Sequence, residues 1–129
     1  MAEPTDRLYS KSHEWAQIKG DTSTVGITQY AQEQLGDVVF VELPAVGKQL
    51  DRGAVLGTIE SVKAVSELFA PVAGQVAEVN TALEAHPELI NQDPYGGGWV
   101  VRLKVAPGAG EGLMDSAAYE RFVAEEGSH

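Results

Sequence analysis

A mainly β protein, built as a sandwich or flattened barrel with two or three small helices attached, is the architecture this sequence predicts. Short β-prone runs recur along the chain, glycines and prolines interrupt every longer periodic segment, and the long crossover helices of a parallel α/β sheet are missing. With 129 residues the chain makes one compact domain, 1–129, and is too short for a comfortable second core. Residues 1–7 and 127–129 are expected to be flexible ends.

The elements follow in order. Glu14 to Lys19 and Thr22 to Thr28, separated by Gly20-Asp21, read as a hairpin whose buried side is supplied by Trp15, Ile18, Val25 and Ile27. Thr28 then caps a short helix, TQYAQEQL, that Gly36 ends. DVVFVELP is a β-rich run closed by Pro44, and Gly47, Gly53 and Gly57 break the next segment into short strands and turns. QVAEVN alternates apolar and polar residues as a strand does, and Asn80 can cap the helical turns of TALEAH before Pro87. ELINQDPYGGG reads as a loop, WVVRLKV as a strand, and Asp115 or Ser116 starts a terminal helix with Tyr119, Phe122 and Val123 on one face. VGKQL and AGQVA echo each other on either side of the middle of the chain.

ESVKAVSE, residues 60 to 67, admits two readings. Val62, Val65, Leu68 and Phe69 have the spacing of a helix face, with Ser61 as cap and Pro71 as stop. The same residues also make a hairpin with Val62 and Lys63 at its tip. Ser61 then faces Ala64, Glu60 faces Val65, Ile59 faces Ser66 and Thr58 faces Glu67. One side would carry Val55, Gly57, Ile59, Ser61, Ala64, Ser66, Leu68 and Ala70; the other, Glu60 and Glu67 near the tip and Leu56 and Phe69 below. The tip lacks the glycine or asparagine of a primed turn, so the strands around it must hold it. Physics alone leaves the two readings level.

Composition removes several classes of function. Nineteen acids against nine bases give a net charge of -10, which repels phosphate backbones and anionic lipid surfaces, so neither nucleic acid nor membrane is an expected partner. No apolar run reaches bilayer length. The absence of cysteine removes disulfides, thiolate metal sites and cysteine nucleophiles, so any sulfur redox chemistry must arrive on a covalently attached group. His13, His86 and His129 have no metal-ligand spacing, and no metal is expected. The first ten residues have neither an apolar signal core nor the arginine-rich character of a transit peptide. A cytoplasmic, bacterial-type protein is expected, or a matrix protein if a transit peptide has been removed.

HEW at 13 to 15, VGITQYAQEQLGDVVFVELPAVG at 25 to 47, ESVKAVSE, PVAGQVAEVN at 71 to 80 and INQDPYGGGW at 90 to 99 together resemble the H protein of the glycine cleavage system, in that family's order and spacing. The resemblance runs from about Leu8 to Phe122. It implies the hairpin reading, a lipoyl-domain-like barrel-sandwich hybrid fold, and lipoate in amide linkage on Lys63. It also implies a non-catalytic carrier. A pyridoxal-phosphate glycine decarboxylase (P protein) loads it with an aminomethyl group, an aminomethyltransferase (T protein) unloads it, and dihydrolipoyl dehydrogenase (L protein) reoxidises it. A lipoyl ligase or lipoyl/octanoyl transferase attaches the cofactor, and the carrier is expected to be a monomer.

The resemblance further implies that the loaded arm folds against the HEW segment and the acidic residue after the lysine. The matching positions are Ser12, Glu14 and Glu67, although relatives often carry aspartate where Glu67 stands. Glu60, Ser61, Val62 and Ala64 would be read by partners at the tip. A biotin carrier would set methionines beside the lysine, where this chain has Val62 and Ala64. A lipoyl domain of a 2-oxo acid dehydrogenase usually reads DKA and lacks the HEW segment and terminal helix. A Schiff-base enzyme needs a desolvated lysine. A lipoyl donor that passes the cofactor to other complexes is the remaining alternative to the shuttle.

Overall fold

The computed structural model describes residues 4–127. Of the ends expected to be loose, residues 1–3 and 128–129 therefore lie outside the described residues. The elements are β1 (Leu8–Tyr9), β2 (Glu14–Lys19), β3 (Thr22–Ile27), α1 (Gln29–Leu35), β4 (Val38–Glu42), β5 (Gln49–Leu50), β6 (Val55–Ser61), β7 (Val65–Phe69), β8 (Gly74–Val79), α2 (Ala82–Ala85), α3 (Leu89–Gln92), β9 (Val101–Lys104) and α4 (Ser116–Gly127). They form a six-stranded sheet in the order β1-β2-β3-β9-β8-β5 and a three-stranded sheet in the order β4-β6-β7. All strand pairs are antiparallel. Val25, Ile27, Val76, Val101 and Leu103 from the larger sheet meet Val41, Leu56, Ile59 and Leu68 from the smaller in one buried cluster. Removal of this apolar surface from water is the main force holding the sheets face to face.

Local signals account for most boundaries. The Thr28 hydroxyl accepts from Ala31 N–H at 3.2 Å, as a helix N-cap should, and Gly36 ends α1 at φ +77° with its N–H on Gln32 C=O. Asp115 caps α4 by accepting from Ala118 N–H at 2.8 Å. The echoing VGKQL and AGQVA segments lie side by side, Gln49 opposite Gln75 and Leu50 opposite Gly74.

Four details depart from the sequence reading. Trp15 does not share a face with Ile18, Val25 and Ile27. It pairs with Gly26 on the opposite side of the sheet and joins Tyr9 and Tyr119 in a second, aromatic cluster beneath α4. There Tyr9 stacks on Tyr119 at 4.8 Å between centroids, and the Trp15 indole donates to Pro94 C=O at 3.0 Å. β2 is thus buried on both faces at its start. In β6 an irregularity between Val55 and Gly57 shifts the register, so Leu56 enters the core while Val55 is left 40 % exposed, the reverse of simple alternation. The ELINQ stretch is a helical turn, α3, rather than a loop, because Ile90 is fully buried and anchors it. Arg7, in the expected loose leader, lies 4.5 Å over the Trp15 ring and donates to Tyr95 C=O at 3.0 Å.

Candidate functional site

The hairpin reading of residues 60 to 67 is correct in its register. Glu60 pairs with Val65, Ile59 with Ser66 and Thr58 with Glu67, and Ser61 N–H donates to Ala64 C=O at 2.8 Å. Neither Val62 nor Lys63 has positive φ, so the turn is not of the primed kind that matches strand twist unaided. The Ser61 hydroxyl takes the place of a turn glycine by accepting from Ala64 N–H at 3.0 Å and Lys63 N–H at 3.3 Å. Val62 N–H donates to Asp37 C=O at 3.0 Å, which ties the tip to the α1–β4 connection. Beside that tie the Lys63 stem crosses Gly36, where an added Cβ would meet Lys63 Cε at 3.2 Å.

Among the expected tip-recognition residues, Val62, Lys63 and Ala64 are exposed and Glu60 is half-buried between Phe40 and Val65 on the neighbouring strands. Ser61 is different: it is 8 % exposed and its hydroxyl is spent on the turn, so its visible work is to shape the tip.

A cleft of about 320 Å³ opens beside the tip and brings Ser12, Glu14, Ala64 and Glu67 together. Ile27, Leu35 and Leu68 supply apolar walls; Tyr30 and Gln34 from α1 and His13 add polar ones. Glu14 is buried, with Oε1 accepting from Ser12 Oγ at 2.5 Å and Ser10 Oγ at 2.7 Å, and Oε2 accepting from Phe69 N–H at 3.3 Å. Burial pushes its carboxyl above the usual glutamate value, and those hydrogen bonds oppose the shift. Glu67 stands exposed on the other side of the cleft. A larger recess of about 540 Å³, between Tyr9 and Phe69, shares Ser12 with the cleft but none of residues 60 to 64.

The sequence reading left His13 without a role, and it missed Tyr30, Ala31, Gln34 and Leu35, whose one-and-four spacing puts them on one face of α1. His13 adopts φ +70° and is the one non-glycine residue with positive φ among the described residues. Its Nδ1 lies 2.8 Å from Tyr119 Oη and its Nε2 3.1 Å from Glu126; Tyr119 Oη lies 2.7 Å from the cap hydroxyl of Thr28. This chain of contacts fastens α4 to the cleft wall. Burial lowers the His13 pKa against the opposing pull of Glu126.

A braced β scaffold that offers an exposed lysine on a hairpin tip, next to a half-apolar cleft, has the form expected of a carrier protein. The profile of the family described as glycine cleavage H-protein matches residues 7–126, and the chain belongs to that family. Proteins named glycine cleavage system H protein from Symbiobacterium thermophilum, 54 % identical over 95 % of this chain and 96 % of theirs, and from Beutenbergia cavernae, 56 % identical over 98 % and 100 %, are among its relatives. A crystal structure of a glycine cleavage system H protein from Mycobacterium marinum superposes with a TM-score of 0.84 at 42 % identity, covering 96 % of this chain and 98 % of that one. The function is accordingly that of the lipoyl-carrying shuttle of the glycine cleavage system, a component that carries and does not catalyse. Among the described residues no helix is long and apolar enough to cross a membrane.

Proposed function

We propose that Lys63 is the residue that bears lipoate, through an amide at Nζ. The observation that supports this most is its placement: an exposed lysine on a tip held by Ser61 and Asp37, one residue from Ala64 in the cleft wall. The residues present suit the group, since an exposed amine is open to an acyl-transferring enzyme and the apolar walls of Ile27, Leu35 and Leu68 suit an aliphatic arm. When bound, lipoate supplies the reversible disulfide chemistry that a cysteine-free chain lacks.

Every other part of the task falls to the chain's own residues. Ser12, Glu14 and Glu67 hold the amine of the aminomethyl cargo: Glu14 as a buried acceptor behind Ser12, Glu67 as an exposed carboxylate within reach of solvent. Ile27, Leu35 and Leu68 keep water from the cargo between visits. Glu60, Val62 and Ala64, with Ser61 shaping them, make the surface read by glycine decarboxylase, aminomethyltransferase, dihydrolipoyl dehydrogenase and the lipoyl ligase or lipoyl/octanoyl transferase. The chain works as a single-domain monomer in the cytoplasm, and tethering raises the cargo's effective concentration at each partner.

Intact-mass measurement and peptide mapping after expression with lipoate test the attachment. A lipoyl increment on Lys63, absent in Lys63→Arg, is expected; an increment on another residue overturns it. For the cleft, Glu14→Gln is expected to hasten hydrolysis of the aminomethyl-loaded form, and an unchanged rate removes Glu14 from the cargo site.

A further inference from the structure

The tip hairpin leans on a two-residue connection whose own backbone ties it at one end, by Gly36 N–H on Gln32 C=O. Between α1 and β4 lie Gly36 and Asp37: Gly36, at φ +77°, sits under the Lys63 stem, and Asp37 C=O receives Val62 N–H. Glycine in the left-handed region is the residue with the most freedom to leave its conformation. One side chain spans this connection from behind. Asn91, on α3, donates from Nδ2 to Gly36 C=O at 2.8 Å and to Gln32 Oε1 at 3.0 Å, and accepts at Oδ1 from Val38 N–H at 2.9 Å. Both of its amide protons and one lone pair are used, and the bonded groups bracket Gly36 and Asp37. A carboxamide offers two donors and an acceptor in one plane; aspartate offers acceptors only and would face Gly36 C=O with like charge. α3 has a separate anchor in the fully buried Ile90.

We propose that Asn91 is a positioning residue for Lys63: it clamps the Gly36-Asp37 shelf on which the lysine is presented to the acyl-transferring enzyme. The proposal rests on the reading of Lys63 as the modified residue. The chain of action runs from Asn91 to the shelf, from the shelf to Val62 N–H and the lysine stem, and from there to the pose of Nζ. A loosened shelf would make the enzyme order the tip at the moment of binding, which raises KM while leaving the acyl-transfer step alone.

Asn91→Ala and Asn91→Asp test this in the unmodified full chain, with Gly36→Ala as a direct disturbance of the shelf. In each, exchange of the Val62 amide proton should rise about tenfold while the amides of Val76 and Leu103 in the large sheet stay as in the wild type. With a lipoyl ligase, lipoate and ATP to activate its carboxylate, KM for the protein should rise by roughly the same factor with kcat retained. Unchanged Val62 exchange with unchanged KM overturns the proposal. Uniformly faster exchange at Val62, Val76 and Leu103 also overturns it, because Asn91 would then serve only general stability. If the wild type takes no lipoate at Lys63, the functional reading falls, while Val62 exchange in the variants still decides whether Asn91 holds the shelf.

Discussion

Two hairpins of this protein, β2–β3 and β6–β7, each turn through two residues, and they obtain the turn in opposite ways. At Gly20-Asp21 the chain places a glycine at φ +63° where a type II′ turn needs it, and nothing lies within 4 Å of a Cβ added there. The shape of that turn is specified by its own residue and it faces solvent, while Asp21 C=O also accepts from Val105 N–H at 2.7 Å. At Val62-Lys63 no residue takes a left-handed conformation, and the shape comes from the Ser61 hydroxyl and from Asp37 C=O on another element. The hairpins also engage the cleft differently: the first lends its open end, Glu14 and Ile27, and the second lends Ala64 beside its tip and β7 down to Leu68. A turn whose shape a glycine supplies needs no neighbour to set its conformation. One that neighbours fix has a definite place relative to them, which the role proposed for Lys63 requires.

The comparison breaks most directly at Ser61. Ser61→Ala removes the acceptor for two tip amides and is expected to cost about 2 kcal/mol in denaturant unfolding, together with poorer lipoylation of Lys63. If both stay at wild-type values, the tip is held by its strands alone and the contrast with Gly20 disappears. Gly20→Ala is the matched control. Forcing alanine into the left-handed region should cost about 1 kcal/mol in the same assay. It should leave lipoylation kinetics unchanged, because neither Gly20 nor Asp21 lines the cleft. A Gly20 variant that impaired lipoylation would mean that the two tips are coupled through the sheet.

The same contrast explains what could be read from the sequence. The register of the lysine hairpin followed once the tip was fixed, because a two-residue period allows one facing of Glu60, Ile59 and Thr58. It failed at Leu56, where the irregular pairing adds a residue that alternation cannot foresee. Trp15 was misplaced because alternation assumes one buried face, and β2 begins with both faces covered, one by the small sheet and one by α4. α3 was hidden by its turn-forming neighbours: four residues have little helical stability alone, and this turn exists because Ile90 finds the core. Of the cleft, Ser12, Glu14 and Glu67 came from family resemblance, whereas Tyr30 and Gln34 required knowing which face of α1 turns inward. Ser61 had a legible signal, since serine beside a glycine-free turn can bond the turn's amides.

A smaller effect sharpens the comparison at the open end of the first hairpin, where Glu14 is buried against the second. Burial raises its folded pKa above the ordinary value it has in the unfolded chain, so the fold favours the protonated form. Its contribution to stability is therefore fully present below the ordinary glutamate range and is lost as pH rises through the raised folded value. Glu14→Gln cannot ionise and lacks this slope, while its amide oxygen can still accept from Ser10 and Ser12. Unfolding of both proteins by urea between about pH 4 and about pH 7 should show the wild type losing ground to Glu14→Gln as pH rises. Parallel pH profiles would mean that the two serines and Phe69 N–H offset the burial in full. Glu14 would then be a carboxylate settled into its hydrogen bonds and held ready for a cation. The expected slope instead describes a buried acid that is costly to ionise and that a cationic amine, under the proposed role of the cleft, would relieve.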